Sequence, residues 1–361
     1  MFRTLFRSVA VLGAAAFLLG AGHKAVAQDN AASPRERVQL ATKSLQSWYD
    51  ESTGLYKTTG WWNSANAITT LTDEAKIQHT HEFDPVFENT FTAGQKKFNG
   101  FINDYYDDEG WWALGWIGAY DVTHRPAYLA MAESIFKDMS GGWSDTCGGG
   151  IWWSKERKYK NAIANELYLS VAAHLATRAK SKAERKQYLE TAEREWKWFA
   201  GSGMINGDGL INDGLNAKCE NNHETTWTYN QGVVIGGLAE MSRKDHDAAL
   251  IPEAQKIAAA AMASPVLVKD GVLHDPCEPK CGGDGSQFKG IFVRNLRELN
   301  QRSKVTGYVV FVRKNADSIW AGAKAPEYHL GVVWAEPYGD ADASSQSSAL
   351  DALVAAEAKS R

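Results

Sequence analysis

Charge of one sign is what this 361-residue sequence most plainly lacks: 39 basic residues stand against 43 acidic ones, a formal net charge of −4. It also has no basic stripe interleaved with aromatics that would follow a phosphate backbone, so nucleic acid is not an expected partner. Long apolar runs are missing after the first thirty residues. The early run from Val9 to Gly22 follows the basic Arg3 and Arg7, is short for a membrane span, and leads to Ala25-Val26-Ala27, a small-x-small pattern that a signal peptidase accepts. Residues 1–27 therefore read as an export signal cleaved after Ala27, with no cysteine behind it to carry a lipid. The C-terminal stretch ALDALVAAEAKSR lacks the hydrophobic tail of a lipid-anchor signal. The mature chain, 28–361, is expected to be an exported monomer without a stable membrane anchor (periplasmic or secreted).

Cysteine is scarce as well. Cys147, Cys219, Cys277 and Cys281 permit one or two disulfides among three full pairings, and the sequence leaves the choice open. Cys277 and Cys281, with His274 just before them, lack the second close-spaced ligand pair of a metal knuckle. His79, His81, Glu82 and Asp84 in HTHEFD mix ligand types but read as a solvated loop or a helix start. Neither a metal nor a cofactor is expected.

Sustained period-two alternation is also rare, and no Pro/Gly/Ser-rich linker divides the chain, so the expectation is one all-α domain. Helical patterning gives twelve segments, near Ser33–Tyr49, Asn63–Ala75, Pro85–Tyr105, Gly110–Thr123, Pro126–Met139, Asn161–Ala179, Lys182–Ser202, Tyr229–Arg243, Asp247–Ser264, Lys289–Asn300, Ser303–Ala321 and Ser344–Lys359. Alternate members, beginning with Asn63, open after aromatic, Gly-rich or Asn-rich loops, while their partners are more charged. An inner ring of six apolar helices inside an outer ring of six follows from this pattern, with an open solenoid of helical hairpins as the other arrangement. In the helix that starts at Asn161, Ile163, Leu167, Val171 and Leu175 form one stripe and Asn161 and Asn165 share another face.

If the loops opening the inner helices gather at one rim, they bring together Trp61, Trp62, Asp107, Asp108, Asp145, Trp152, Trp153, Asp213, Tyr229, Asn230 and Phe288. Indole faces suit the C–H faces of sugars, and amides and carboxylates suit their hydroxyls. Fourteen tryptophans fit such a site, although Trp116, Trp196 and Trp198 read as core. The adjacent Asp107 and Asp108 in YYDDEGWW precede a helix and taken alone read as a first-turn acidic pair. As a reactive pair, consecutive residues reach the ~5 Å carboxyl separation of a retaining glycosidase more readily than the ~6.5–9.5 Å of an inverting one.

YYDDEGWWALGWIGAYDVT, WSDTCGGGIWW with YKNAIANELYLSVAAHLA, TYNQGVVIGGL, and CEPKCGGDGSQFKGIFVRNL resemble, in this order and over most of the mature chain, the endo-α-1,6-mannanases of glycoside hydrolase family 76. The resemblance implies an (α/α)6 barrel, a retaining mechanism, and α-mannan or α-1,6-manno-oligosaccharide as substrate. It makes Asp107 the nucleophile and Asp108 the acid/base. It implies sugar contacts at Asn66, Asp145, Trp152, Trp153, Asn161, Asn165, Tyr229, Asn230 and Phe288, with Trp62 and Asp213 alongside. The alternatives are a transglycosylase acting on α-mannosides, an inverting (α/α)6 glycosidase of another polysaccharide, and a glycan-binding protein whose aspartates are not catalytic.

Overall fold

A computed structural model describes residues 32–243, 248–324 and 326–358. The expected export signal and its cleavage point lie outside the described residues, as do Asp247 and Lys359, the expected ends of two helices.

Twelve helices of two turns or more are present among the described residues: α1 Pro34–Gln46, α2 Trp61–Gln78, α3 Asp84–Ala93, α4 Tyr106–Thr123, α5 Pro126–Ser140, α6 Ala162–Arg178, α7 Lys182–Gly201, α8 Thr228–Met241, α9 Leu250–Ala263, α10 Phe288–Ser303, α11 Thr306–Ala321 and α12 Ala343–Glu357. Two short antiparallel hairpins complete the regular structure, β1 Tyr49–Asp50 with β2 Leu55–Tyr56 and β3 Val268–Lys269 with β4 Val272–Leu273. The even-numbered helices pack each on the next, and α12 closes back onto α2. A closed ring of six excludes the open solenoid, and the fold is an (α/α)6 barrel.

Composition explains which helices lie inside. All thirteen residues from Ala343 to Ala355 in α12 are buried, and α6 and α8 are similarly enclosed, so apolar or small side chains dominate their whole circumference, with a few buried polar groups such as Glu166 and Asp351 among them. Helix α7 buries only Ala192, Glu195 and Phe199 and faces solvent with the rest. Glycine sets the closeness of the ring. A Cβ on Gly232 of α8 would stand 2.6 Å from the Phe292 backbone of α10, and one on Gly290 of α10 would overlap the Ser348 backbone of α12. Local signals place the starts: Ser33 with Glu36, and Ser181 with Glu184, form capping boxes, and Asn161 caps α6 through its own side chain.

Two boundaries differ from the sequence expectation where the site is built. The helix expected to run from Pro85 to Tyr105 stops at Ala93 and gives way to tight turns at Gly94–Lys96 and Asn99–Phe101, with Gly100 at φ +67°. Helix α4 starts at Tyr106 rather than Gly110, which moves Asp107 and Asp108 from the preceding loop into its first turn. Carboxylates there face the free N–H groups and the positive end of the helix, so a helix start at these residues is locally favoured.

Candidate active site

The opening two turns of four inner helices meet at one end of the barrel. Trp62 of α2 lies 5.7 Å from Trp111 of α4, Trp111 lies 6.4 Å from Tyr229 of α8, Tyr229 stacks at 3.8 Å on Phe288 of α10, and Phe288 returns to Trp62 at 6.5 Å. These four rings form an aromatic floor across the barrel mouth. Beneath it the guanidinium of Arg294 lies 5.7 Å from the Trp111 ring and is fixed by Asn66 and by Asp351, the latter at 3.1 Å.

Asp107 and Asp108 stand beside this floor, half-buried. The start of α4 is pinned by the segment before α6: the Tyr106 N–H donates to the Trp153 carbonyl at 2.9 Å, and the Trp153 N–H donates to Tyr159 at 2.8 Å. That pairing also aims the Trp153 indole, whose Nε1–H donates to Asp107 Oδ2 at 2.8 Å. Asp107 Oδ1 accepts the Asp108 backbone N–H at 3.0 Å. Asp108 Oδ2 accepts Asn103 Nδ2–H at 2.7 Å, and Asn103 Oδ1 in turn accepts the Tyr105 N–H at 2.9 Å.

Burial pushes both carboxyls up. Asp107 is held well above the usual carboxylate range by its enclosure and then by the charge of Asp108. Asp108 is raised to about 6 by enclosure, opposed by the Asn103 hydrogen bond. Two close, desolvated carboxyls share one proton more easily than they lose both. Burial and the neighbouring charge act most strongly on Asp107 and by themselves would put the proton there; the hydrogen bonds oppose this, since both oxygens of Asp107 accept N–H groups that favour its ionised form, whereas Asp108 accepts at Oδ2 alone. Glu109, next in the chain, is fully buried and raised to about 8 by desolvation; its Oε1 accepts the Asn103 backbone N–H at 3.2 Å and meets Lys155 at 3.1 Å, so it helps hold the residue that bonds Asp108.

The other expected contacts separate into those that reach the mouth and those that support it. Trp62, Tyr229 and Phe288 belong to the floor, and Trp153 is 37% exposed with Tyr105 packed against it at 4.9 Å. Asp213 is half-buried and accepts the Tyr159 hydroxyl at 2.6 Å; its charge is felt at Tyr229, as is that of Asp107. Asn165 is a correction. It is fully enclosed and spends its amide on the Ile151 N–H and carbonyl and on the Asn161 carbonyl, so it holds the 151–153 segment rather than offering itself to a sugar. Asn66 is a second, enclosed between Arg294 and the Trp62 carbonyl. Asn161 is the N-cap of α6, accepting the Ala164 N–H at 3.3 Å and buried to 5% exposure. Asn230 is fully buried, with neither amide atom hydrogen-bonded among the described residues.

Asp145 faces solvent at the head of a loop that is organised from within by Lys160. That buried ammonium donates to the carbonyls of Ser144, Thr146, Gly149 and Gly150, lies 5.0 Å from the Trp152 ring, and is lowered to about 8 by desolvation. Trp198 lies over the same loop and donates to the Cys147 carbonyl at 2.9 Å, and Trp196 stacks on Phe199 at 6.3 Å; both are half-buried rather than core, unlike Trp116. The cysteines pair as Cys147–Cys219 and Cys277–Cys281. HTHEFD forms the turn into α3, with His81 and Asp84 3.2 Å apart.

Asn103, Tyr159, Glu166 and Asp284 were not singled out by the sequence. Glu166 is fully buried on α6, has no hydrogen-bond partner among the described residues, and is held well above the usual carboxylate range by desolvation and then by Asp213. Of the four, only Asn103 carried a local signal, an amide four and five residues ahead of the two aspartates. The others come from loops or helices remote in sequence.

The profile of the Glycosyl hydrolase family 76 matches residues 33–361. Among curated proteins, the mannan endo-1,6-alpha-mannosidase DFG5 of Candida albicans is 25% identical over 272 residues, spanning 68% of this chain and 59% of its own length. The Saccharomyces cerevisiae protein of the same name is 30% identical over 209 residues, spanning 53% of this chain and 44% of its own. This chain thus corresponds to about half the length of these curated relatives. Among solved structures, the GH76A alpha-1,6-mannanase from Salegentibacter sp. HEL1_6 superposes with a TM-score of 0.81 at 24% identity, covering 90% of this chain and 99% of that one. The Lin0763 protein from Listeria innocua superposes with a TM-score of 0.80 at 28% identity, covering 90% and 97%. An inactive variant of the Salegentibacter enzyme, with two consecutive aspartates replaced by asparagine, has been solved with alpha-1,6-mannotriose.

Proposed function

This chain belongs to glycosyl hydrolase family 76, and from that premise we propose that it cleaves α-1,6-mannosidic linkages in mannan with retention of configuration. The observation that carries the reading is the half-buried pair in the first turn of α4, with both Asp107 oxygens accepting N–H donors and Asp108 accepting at one oxygen alone among the described residues. An ionised Asp107 carboxylate attacks the anomeric carbon while Asp108 gives its proton to the departing glycosidic oxygen, and a glycosyl ester forms on Asp107. Asp108, now a carboxylate, takes a proton from water as the water oxygen attacks the same carbon and the ester bond to Asp107 breaks. The aromatic floor supports the C–H faces of the mannose rings, and Trp153 serves twice, its N–H on Asp107 and its exposed face toward substrate. No residue of this scheme calls for a cofactor. The family and the sequence of residues 1–27 together support an exported enzyme.

Purified protein incubated with linear α-1,6-mannan is expected to yield shorter manno-oligosaccharides, with the α-anomer first by early proton NMR. An initial β-anomer contradicts retention. Asp107→Asn and Asp108→Asn are each expected to lose on the order of a thousandfold or more in turnover while still binding α-1,6-mannotetraose. Unchanged turnover in either variant would make the protein a glycan binder or move the chemistry elsewhere.

A further inference from the structure

The ring order puts α4 between α2 and α6, so the two aspartates have different neighbours. Asp107 leans to the α6 side through Trp153. Asp108 lies on the α2 side, bonded to Asn103 in a segment whose Phe98 ring packs 4.7 Å from Trp61. On that side stands Asp284, exposed on the short turn Gly282–Gly285. Its Oδ1 accepts the Trp62 indole N–H at 2.9 Å, and Oδ2 has no hydrogen bond among the described residues.

The turn is built to hold Asp284 there. A Cβ on Gly285 would stand 2.9 Å from Cys277 Sγ and 2.8 Å from Cys281 Cβ, so the turn rests directly on the Cys277–Cys281 disulfide. Asn63 of α2 donates to the Gly283 carbonyl at 3.3 Å, and Ser286 donates to Gly282 at 2.6 Å. The other end of the disulfide loop is fixed at Asp275, which accepts both the N–H and the hydroxyl of Thr228 at the start of α8. Asp284 and Trp62 thus present a carboxylate oxygen and an indole side by side on the α2 side of the aromatic floor, the side to which Asp108 is bonded through Asn103.

We propose that Asp284 and Trp62 hold the mannose on the leaving-group side of the scissile bond, and that the Cys277–Cys281 loop is the prop that positions Asp284. This rests on the reading of Asp108 as the acid. The same place receives whichever hydroxyl attacks the glycosyl ester, so it governs how often a sugar replaces water. In that event the acceptor oxygen bonds to the anomeric carbon, its proton passes to Asp108, and the ester bond to Asp107 breaks. The charge of Asp284 acts on Asp108 and Tyr229, in keeping with its place at the mouth.

The test compares Asp284→Asn with the parent on α-1,6-mannotetraose and on α-mannosyl fluoride, whose leaving group fills no sugar position. Loss of charge-assisted hydrogen bonds to sugar hydroxyls is expected to lower kcat/KM on the tetraose about 10- to 100-fold, mainly through KM, and at least about tenfold more than on the fluoride. Longer products from acceptor sugars should fall in the same variant. Cys277→Ser with Cys281→Ser is expected to give a weaker version of the same KM-dominated pattern. Equal losses on the two substrates, or none on the tetraose, overturn the proposal. Calorimetric binding of mannotetraose to the Asp107→Asn/Asp108→Asn protein, with and without Asp284→Asn, keeps the two readings apart. Parent binding that Asp284→Asn weakens about tenfold supports this assignment even if hydrolysis fails, and equal binding overturns it while leaving the hydrolase reading intact.

Discussion

Trp153→Phe removes the indole N–H with the five-membered ring that carries it: a six-membered ring remains to pack against Tyr105, but Asp107 Oδ2 loses its indole donor. A hydrogen bond to a charged acceptor is worth ~1.5–3 kcal/mol, and because Trp153 is 37% exposed, water replaces part of what is lost, so the lower end applies. About 1.4 kcal/mol corresponds to one pH unit. A donor to a carboxylate favours its ionised form, so losing it raises the proton affinity of Asp107 and moves the acid limb of the kcat/KM profile about one unit toward alkaline pH. Asn103→Ala is the counterpart. It removes the donor to Asp108, which burial already holds at about 6, and so extends the protonated range of the acid and moves the alkaline limb upward by a similar amount. Because the carboxyls interact, the limbs report the pair, and the comparison lies in which limb each variant moves. The assay is kcat/KM for α-1,6-mannotetraose between pH 4 and 9, with thermal melts to verify folding. Opposite assignments of the limbs would reverse the roles of the aspartates, and two unmoved profiles would refute a reaction that depends on this pair.

Glu166, buried without a hydrogen-bond partner among the described residues and with a raised folded-state pKa, binds a proton that the unfolded chain releases. Its contribution is intact below the unfolded pKa near ~4.3 and is lost as pH climbs toward the folded value, at up to ~1.4 kcal/mol per pH unit. Glu166→Gln should therefore gain stability over the parent between pH 5 and 7.5, read from urea midpoints, and a constant difference would contradict a protonated Glu166. Gly150→Ala places a Cβ inside the Trp198 ring at a backbone φ of +82°, and a loss of ~2–4 kcal/mol with release of the 144–150 loop is expected in thermal melts. Removing Cys147–Cys219, which closes 72 residues, should cost ~4 kcal/mol in denaturant unfolding, against ~2 kcal/mol for Cys277–Cys281, which closes four. The reverse order would point to native-state strain rather than chain entropy.

Periodicity and composition were enough to set twelve helices and their alternation, because an inner helix is apolar or small over most of its circumference while an outer one needs a single stripe; the packing of α12 on α2 chose the closed ring over the open solenoid. That difference is written locally in ASSQSSALDALVAAE and KAERKQYLETAEREWKWFAG. The aspartate pair was also legible, since adjacency is a property of the chain. What the chain could not state is which polar residues face a ligand and which face protein. Asn165 and Asn66 have the same chemistry as Asn103, yet neighbouring backbone and Arg294 consume the first two while the third holds Asp108. Asp284 lies more than 170 residues from Asp108 in sequence and meets its surroundings only because the ring closes and a disulfide turn lifts it over Trp62. Sequence alone determined the helices and the adjacency of the two aspartates, because those depend on neighbours within a turn or two. Tertiary structure decided the cysteine pairing, the aromatic floor and the commitment of each amide, because a hydrogen bond is fixed by which groups arrive within 3 Å, whatever their distance along the chain.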